Sequence, residues 1–336
     1  MSEAQWLPLV WALIVGLAVA FYVVLDGFDL GIGILFPFFR GEAERDLMMD
    51  SIAPYWDGNE TWLVLGGGTL WVAFPLAYSI ILPALYLPLI MMLLALIFRG
   101  VAFEFRAVAK PRHRIWDASF AAGSTVAAFF QGAVLGGLLQ EIRVENGAFA
   151  GGAFDWLTPF SLMCGCALVT GYALLGATWL IMKTEGELAD KARRAALPLL
   201  FGMLGFIALV SLWTPLQIER IARRWFSMPD FLLLLPLPLA SAFAAWLCWH
   251  GLRRAKPALP FIAVIALFLL AYAGLVISNV PYLVPPSVTI WQAASAPETQ
   301  IFMLVGTAIL LPIILGYTAF VFWLFRGKVG AGAGYH

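Results

Sequence analysis

The stretch Phe21-Tyr-Val-Val-Leu-Asp26-Gly-Phe-Asp29-Leu-Gly-Ile-Gly33 decides the fold. It closes an apolar run that starts near residue 7 and is long enough for a membrane-crossing helix. Yet it carries two carboxylates three residues apart, which share one helix face. Two further stretches repeat the conflict. Trp56-Asp57-Gly-Asn59-Glu60-Thr-Trp62 opens the second apolar run, and Arg99 sits inside Leu93-Leu-Ala-Leu-Ile-Phe-Arg99-Gly-Val-Ala-Phe-Glu104. An ionised side chain near the bilayer centre costs roughly 2.5–3.5 kcal/mol on insertion scales. Four such carboxylates, fully embedded and unpaired, would cost about 10 kcal/mol or more. They are therefore expected to face protein or water.

The surrounding chain confirms the membrane setting. Its 336 residues are 62% hydrophobic and 12% charged, with a mean hydropathy of +0.90. Soluble domains are about 45–50% apolar and about 25% charged. No polar region is long enough for a soluble domain, and no ten-residue alternation suggests a barrel strand. The N-terminus lacks a basic leader and a small-residue cleavage site, so the first helix is expected to be retained.

Nine spans are predicted, over about 7–36, 56–78, 80–105, 116–139, 158–182, 195–215, 231–252, 259–280 and 302–326. The seam Ala77-Tyr-Ser-Ile80 is expected to make spans two and three a tight hairpin. Gly66-Gly67-Gly68 suggests close helix contact or a kink. Tryptophans near span ends, such as Trp6, Trp56, Trp116, Trp156, Trp213, Trp249 and Trp323, fit interfacial anchoring. The whole is expected to be one all-α membrane domain over 1–336, with helical halves of about 1–140 and 155–330. These halves read as two helical bundles plus one peripheral helix.

The Lys/Arg bias sets an expected orientation. The segments after spans one, three, five, seven and nine hold Arg40 and Arg45; Arg106, Lys110, Arg112 and Arg114; Lys183, Lys191, Arg193 and Arg194; Arg253, Arg254 and Lys256; Arg326 and Lys328. These are 15 of the 20 basic residues. The N-terminus is then outside and the C-terminus inside. Segment 216–230, with Arg220, Arg223 and Arg224, argues against this; Ile218-Glu-Arg-Ile-Ala-Arg-Arg-Trp225 reads as a short amphipathic helix on the outer surface. Segment 281–300 reads as an ordered outer loop packed on the bundle. This topology puts Asp26, Asp29, Asp57, Glu60, Arg99, Glu104 and Asp117 on the inner side at similar depth.

Arg99 and Glu104, five apart, should point in different directions. Arg99 is expected to pair across helices with Asp26, Asp29 or Asp57. Six carboxylates cannot all stay ionised around one arginine. Three readings are open from the residues alone: proton or ion conduction, an interhelical salt bridge fixing the packing of spans one to three, and a bound cation. Gly27 and Gly31, a small-xxx-small pair, support the second.

Other residue types exclude more than they propose. The three histidines, His113, His250 and His336, lie in a loop, at a span end and at the terminus, so this chain is expected to ligate no haem. Cys164, Cys166 and Cys248 read as packing residues, the first two on different faces of one helix. Gln131, Thr170, Thr178, Ser278 and Asn279 read as helix–helix hydrogen bonds. No metal motif, P-loop or nucleotide fingerprint occurs, and nothing points to nucleic acid.

Taken together, Val24-Leu-Asp26-Gly-Phe-Asp29-Leu-Gly-Ile-Gly33, Ser51-Ile-Ala-Pro-Tyr-Trp-Asp57-Gly-Asn59-Glu60-Thr-Trp62 and Phe98-Arg99-Gly-Val-Ala-Phe-Glu104-Phe-Arg106 resemble subunit II of the bacterial cytochrome bd quinol oxidases. Gly176-Ala-Thr-Trp-Leu-Ile-Met-Lys-Thr-Glu-Gly-Glu-Leu188 and Ser287-Val-Thr-Ile-Trp291 agree in order and spacing. The resemblance implies a nine-helix, haem-free subunit in the bacterial cytoplasmic membrane. Its partner is a subunit I that holds two b-type haems and haem d, oxidises quinol and reduces dioxygen to water. It implies proton supply from the cytoplasm through acids matching Asp26, Asp29 and Asp57, with Arg99 as charge partner. Glu60 and Glu104 join them as path candidates. A small single-helix subunit and a structurally held quinone or lipid stay open.

Two departures stand out. Glu104 occupies a position where other members carry aspartate, and Glu60-Thr61 one where some carry Gln and an apolar residue. This pattern resembles the cyanide-insensitive branch. The short loop between spans six and seven argues against an extended outer domain. The competing class is a stand-alone proton- or cation-coupled transporter, for which Gly66–Gly68 would mark a broken helix.

Overall fold

A computed structural model of the chain describes residues 3–109 and 113–330. Lys110, Arg112 and His336 lie outside the described residues. The long helices are α1 (Glu3–Leu35), α3 (Trp56–Ala73), α4 (Pro75–Val108), α5 (His113–Leu139), α6 (Pro159–Lys183), α7 (Gly186–Gln217), α10 (Pro236–Arg253), α11 (Leu259–Asn279) and α13 (Pro297–Leu324). Between them lie the short helices α2 (Glu42–Asp50), α8 (Glu219–Phe226), α9 (Asp230–Leu234) and α12 (Ile290–Ala293). A 3-10 helix (Phe36–Phe38) follows α1, and two small hairpins complete the order among the described residues, β1 (Val144–Glu145) with β2 (Ala148–Phe149), and β3 (Tyr282–Val284) with β4 (Val288–Thr289).

Helix starts follow proline chemistry. Pro75, Pro159, Pro236, Pro260 and Pro297 all occupy the first two helical positions, where the missing N–H has no intrahelical partner to lose. Thr158 and Ser161 add a capping box at α6. Asn146 and Gly147, at φ of 51° and 76°, form the two-residue turn of the first hairpin.

Among the described residues, eight helices are long and apolar enough to cross a membrane, one fewer than the nine expected spans. The one that falls short is α3, which has 18 residues, about 27 Å at helical rise, and a polar first turn. The break after α3 also falls earlier than the predicted seam. It lies at Phe74, where φ −134° and ψ 61° leave the helix, and α4 starts at Pro75. α7 begins well before residue 195, because its polar first turns are helical and Lys191 pairs with Glu187 at 2.9 Å. α4 kinks at Leu85 (φ −121°, ψ 18°), one turn before Pro88, whose ring cannot follow a regular helix.

α1 is the hub, touching α3, α5, α6, α11 and α13. Its glycine face meets α6. A Cβ on Gly31 would stand 1.9 Å from the Tyr172 carbonyl oxygen, and one on Gly176 would stand 2.5 Å from the Gly31 backbone. The Gly27/Gly31 pair therefore sets the α1–α6 crossing rather than the packing of α1 against α3 and α4. α5 and α6 approach the same way through Gly132 and Gly136. Phe28 stacks on Trp179 at 4.0 Å. Of the Gly66–Gly68 run, Gly66 alone packs on another helix: it is buried, and a Cβ on it would stand 3.7 Å from the Val19 side chain of α1. A Cβ on Gly67 or Gly68 would meet nothing within 4 Å, and α3 runs through unbroken.

Segment 281–300 is ordered and packed, with Val284, Val288, Ile290 and Ala293 buried and Ser295 N–H donating to Ala73 O at 2.9 Å. Trp156 is buried rather than at a surface. Cys164 is buried and Cys166 exposed, as their spacing requires. The threonines differ from expectation: Thr170 and Thr178 donate to carbonyls of their own helix four residues back. An α-helix leaves those carbonyl lone pairs within reach, so no second helix is needed.

Candidate functional site

The site forms where α1, α3 and α4 meet. Arg99, on α4, has a 1% exposed side chain and donates from one nitrogen, Nη1, to two carboxylates. Asp26 Oδ1 of α1 accepts at 2.9 Å and Glu60 Oε1 of α3 at 2.7 Å. Asp26 is as buried as Arg99, whereas the Glu60 side chain is 28% exposed. The charge is thus neutralised at its depth, which the cost of an unpaired ion in the bilayer demands. Trp56 lies under the guanidinium at 5.9 Å. It packs against Phe103 and the Cβ-free face of Gly100.

Asp29, fully buried, does not bond Arg99. It accepts from Asn59 Nδ2 at 2.7 Å, and the same amide donates to Leu25 O at 3.1 Å. Asn59 therefore spans α1 and α3. It belongs to the site although only acids and the arginine were nominated from sequence; its place one residue before Glu60 was the available signal. Asp57 is exposed at the mouth of the seam, and among the described residues no cation lies in ion-pair range of it. It does not pair with Arg99; Glu60 does. Glu104 is exposed and stands apart from the cluster, in keeping with its five-residue offset from Arg99.

Asp117 belongs to a second network. Arg45 and Arg106 each reach it at 2.7 Å, and Arg106 also reaches Asp46 at 2.5 Å. Both guanidinia cover the Phe36 ring. Lys191 ties α7 to Glu44 of α2 at 2.6 Å. Lys183 is buried, and among the described residues no carboxylate pairs with it. Its ammonium donates to Tyr55 Oη at 3.0 Å and to the Phe325 and Gly327 carbonyls at the end of α13, a position where a cation suits the orphaned C-terminal groups. With Lys328 on Glu185 at 2.9 Å, these contacts gather Arg45, Arg106, Lys183, Lys191 and Lys328 at the same end of the bundle as Asp26 and Glu60.

At the other end, the arginines of α8 have partners. Arg220 donates to Ser278 O at 2.8 Å, and Arg224 to Ile277 O at 2.6 Å and to Val280 O. They close the C-terminus of α11, which accounts for basic residues where the charge bias expects few. Among the described residues, no three or more His, Cys, Asp or Glu side chains are grouped to hold a metal ion.

The family model for cytochrome bd terminal oxidase subunit II matches residues 7–325. The chain is 31% identical over 373 residues to cytochrome bd-I ubiquinol oxidase subunit 2 of Escherichia coli strain K12, covering 98% of this chain and 97% of that one. It is 27% identical over 335 residues to cytochrome bd ubiquinol oxidase subunit 2 of Bacillus subtilis strain 168, covering 95% and 96%. A chain of the solved bd oxidase from Geobacillus thermodenitrificans shares the fold, with a TM-score of 0.71 at 12% identity over 96% of this chain and 99% of that one. A match of this length, in a multi-pass helical chain with its acids paired at one end, decides the assignment: the protein belongs to the cytochrome bd terminal oxidase subunit II family.

Proposed function

We propose that the chain supports a haem-bearing subunit I in a bacterial cytoplasmic membrane and lines a path that takes protons from the cytoplasm toward that subunit for the reduction of dioxygen by quinol. Its N-terminus is outside and its C-terminus inside, and its helices form one domain with halves of about 1–140 and 155–330. The ubiquinol named for the relatives supports the quinol class. The two described histidines support a chain that ligates no haem: His113 contacts Arg106 O and Glu42 at a helix start, and His250 stacks on Trp246. Glu60-Thr61 supports the cyanide-insensitive branch.

One observation carries the proton reading. Carboxylates of falling exposure line a single seam, from exposed Asp57, through Glu60 with its 28% exposed side chain, to Asp26 at 1%. Arg99 links the last two through one nitrogen. When Glu60 takes a proton it loosens its hold on Nη1, and Arg99 bonds Asp26 more firmly. When the proton passes to Asp26, Arg99 returns to Glu60. The arginine therefore keeps one carboxylate ionised while the other carries the proton. Asn59 holds Asp29 beside this exchange.

The test uses the assembled oxidase in vesicles. Asp26→Asn and Glu60→Gln should each slow proton uptake coupled to dioxygen reduction by roughly 10²-fold, the scale of losing a positioned acid–base group. Unchanged turnover and uptake in both variants would leave the ion pair as a packing device only.

A further inference from the structure

Asp26 has a second donor besides Arg99. Tyr22 lies four residues earlier on α1, on the same helix face, and its hydroxyl donates to the Asp26 carboxylate. Only 3% of Tyr22 is exposed, and its ring packs in a cluster with Ala18 and Trp62, where Phe21 stacks on Trp62 at 4.5 Å. The helix directions fix its depth. Asn59 meets Leu25 and Asp29, whereas Gly66 faces Ala18 and Val19, so α3 runs antiparallel to α1. Tyr22 is therefore one turn, about 6 Å, farther than Asp26 from the exposed mouth at Asp57. Tyr172 of α6, also buried near Asp26, is engaged with the Gln131 side chain of α5.

The two donors differ in kind. A guanidinium carries only N–H donors, so it serves a carboxylate but offers nothing to the O–H of a protonated carboxyl. A tyrosine hydroxyl both donates and accepts. We propose that Tyr22 is a positioning residue that keeps Asp26 oriented in both of its protonation states. While Asp26 is ionised, the Tyr22 O–H donates to it alongside Arg99. Once Asp26 has taken the proton and Arg99 has returned to Glu60, the bond reverses, and the Asp26 O–H donates to the Tyr22 oxygen. The carboxyl group therefore keeps one fixed contact while Arg99 comes and goes, and the proton is held at one place at the deep end of the seam. The benefit to proton transfer rests on the proton-path reading given above; the hold on the carboxyl does not.

Three measurements on the intact oxidase test this. A density map should place the Tyr22 hydroxyl within hydrogen-bond distance of an Asp26 carboxylate oxygen; a hydroxyl turned to another acceptor would overturn the proposal with no variant needed. In infrared difference spectra, the carboxyl band that Asp26→Asn abolishes should shift in Tyr22→Phe, which keeps the ring packing and should keep the haem content of the complex. An unmoved band would overturn the hold on Asp26. Tyr22→Phe should also slow proton uptake about tenfold, the rate equivalent of one lost hydrogen bond, and should add nothing to the loss in Asp26→Asn. Unchanged uptake in Tyr22→Phe where Asp26→Asn is slow, or a full further loss on top of Asp26→Asn, would overturn its role in transfer. Asp26→Asn alone separates the cases: if it leaves uptake unchanged, the path itself has failed, and the infrared shift decides whether Tyr22 holds the carboxyl.

Discussion

Arg99→Met is the most demanding test of the buried cluster. The substitution keeps an unbranched apolar stem of similar reach and removes the charge. It leaves Asp26, with a 1% exposed side chain, facing a vacated cationic site, while Glu60 still reaches solvent through its 28% exposure. Removing one partner of a buried pair costs about 3–5 kcal/mol, because the other charge is left uncompensated. Nearly all of this penalty belongs to Asp26, since Glu60 can hydrate. Arg99→Met should therefore sharply lower the temperature at which the assembled oxidase loses its haem absorbance and elutes as separate subunits. Adding Asp26→Asn removes the stranded charge and should recover more than half of the lost stability, a coupling of about 2 kcal/mol or more. Adding Glu60→Gln instead should recover about 1 kcal/mol or less. Equal stability of the single variant and the parent, or equal recovery from the two second substitutions, would refute the view that Arg99 serves mainly to neutralise Asp26.

Three further outcomes follow from the packing. Gly31→Ala places a Cβ 1.9 Å from the Tyr172 carbonyl oxygen and should destabilise by about 1–3 kcal/mol or more; Gly205→Ala, where a Cβ meets nothing within 4 Å, should be neutral or stabilising in the same thermal assay. Lys183→Met should free the end of α13, seen as faster proteolysis near residues 325–330, with little effect on the Arg99 cluster. Arg224→Ala should cost about 0.5–1.5 kcal/mol by uncapping α11 and raise amide exchange near residues 276–280, whereas Arg223→Ala, whose guanidinium pairs with exposed Glu219, should change neither.

Much of the fold was legible in the sequence because a bilayer admits few solutions. Long apolar runs must be helices there, and prolines at their starts mark the boundaries. The boundaries that moved did so for local reasons. Pro75 claimed the first position of α4, and the polar first turns of α7 were helical by side-chain pairing rather than by hydropathy. Of the site, the participation of Asp26, Glu60 and Arg99 was readable from the cost of charge in lipid. The choice of Glu60 over Asp57 as the second partner was not, because both acids are polar residues of the same helix turn and only their rotation about α3 separates them.

The sequence by itself determined that this is a helical membrane protein with buried acids and one buried arginine, since hydropathy and charge act residue by residue. Only the tertiary structure decided which groups meet. Asp29 goes to Asn59, Asp117 to a separate arginine pair, and Arg220 and Arg224 of α8 to the end of α11. Those choices depend on where helices cross, and the crossings are set by close backbone approaches such as Gly31 against Gly176, which no pattern along one chain contains.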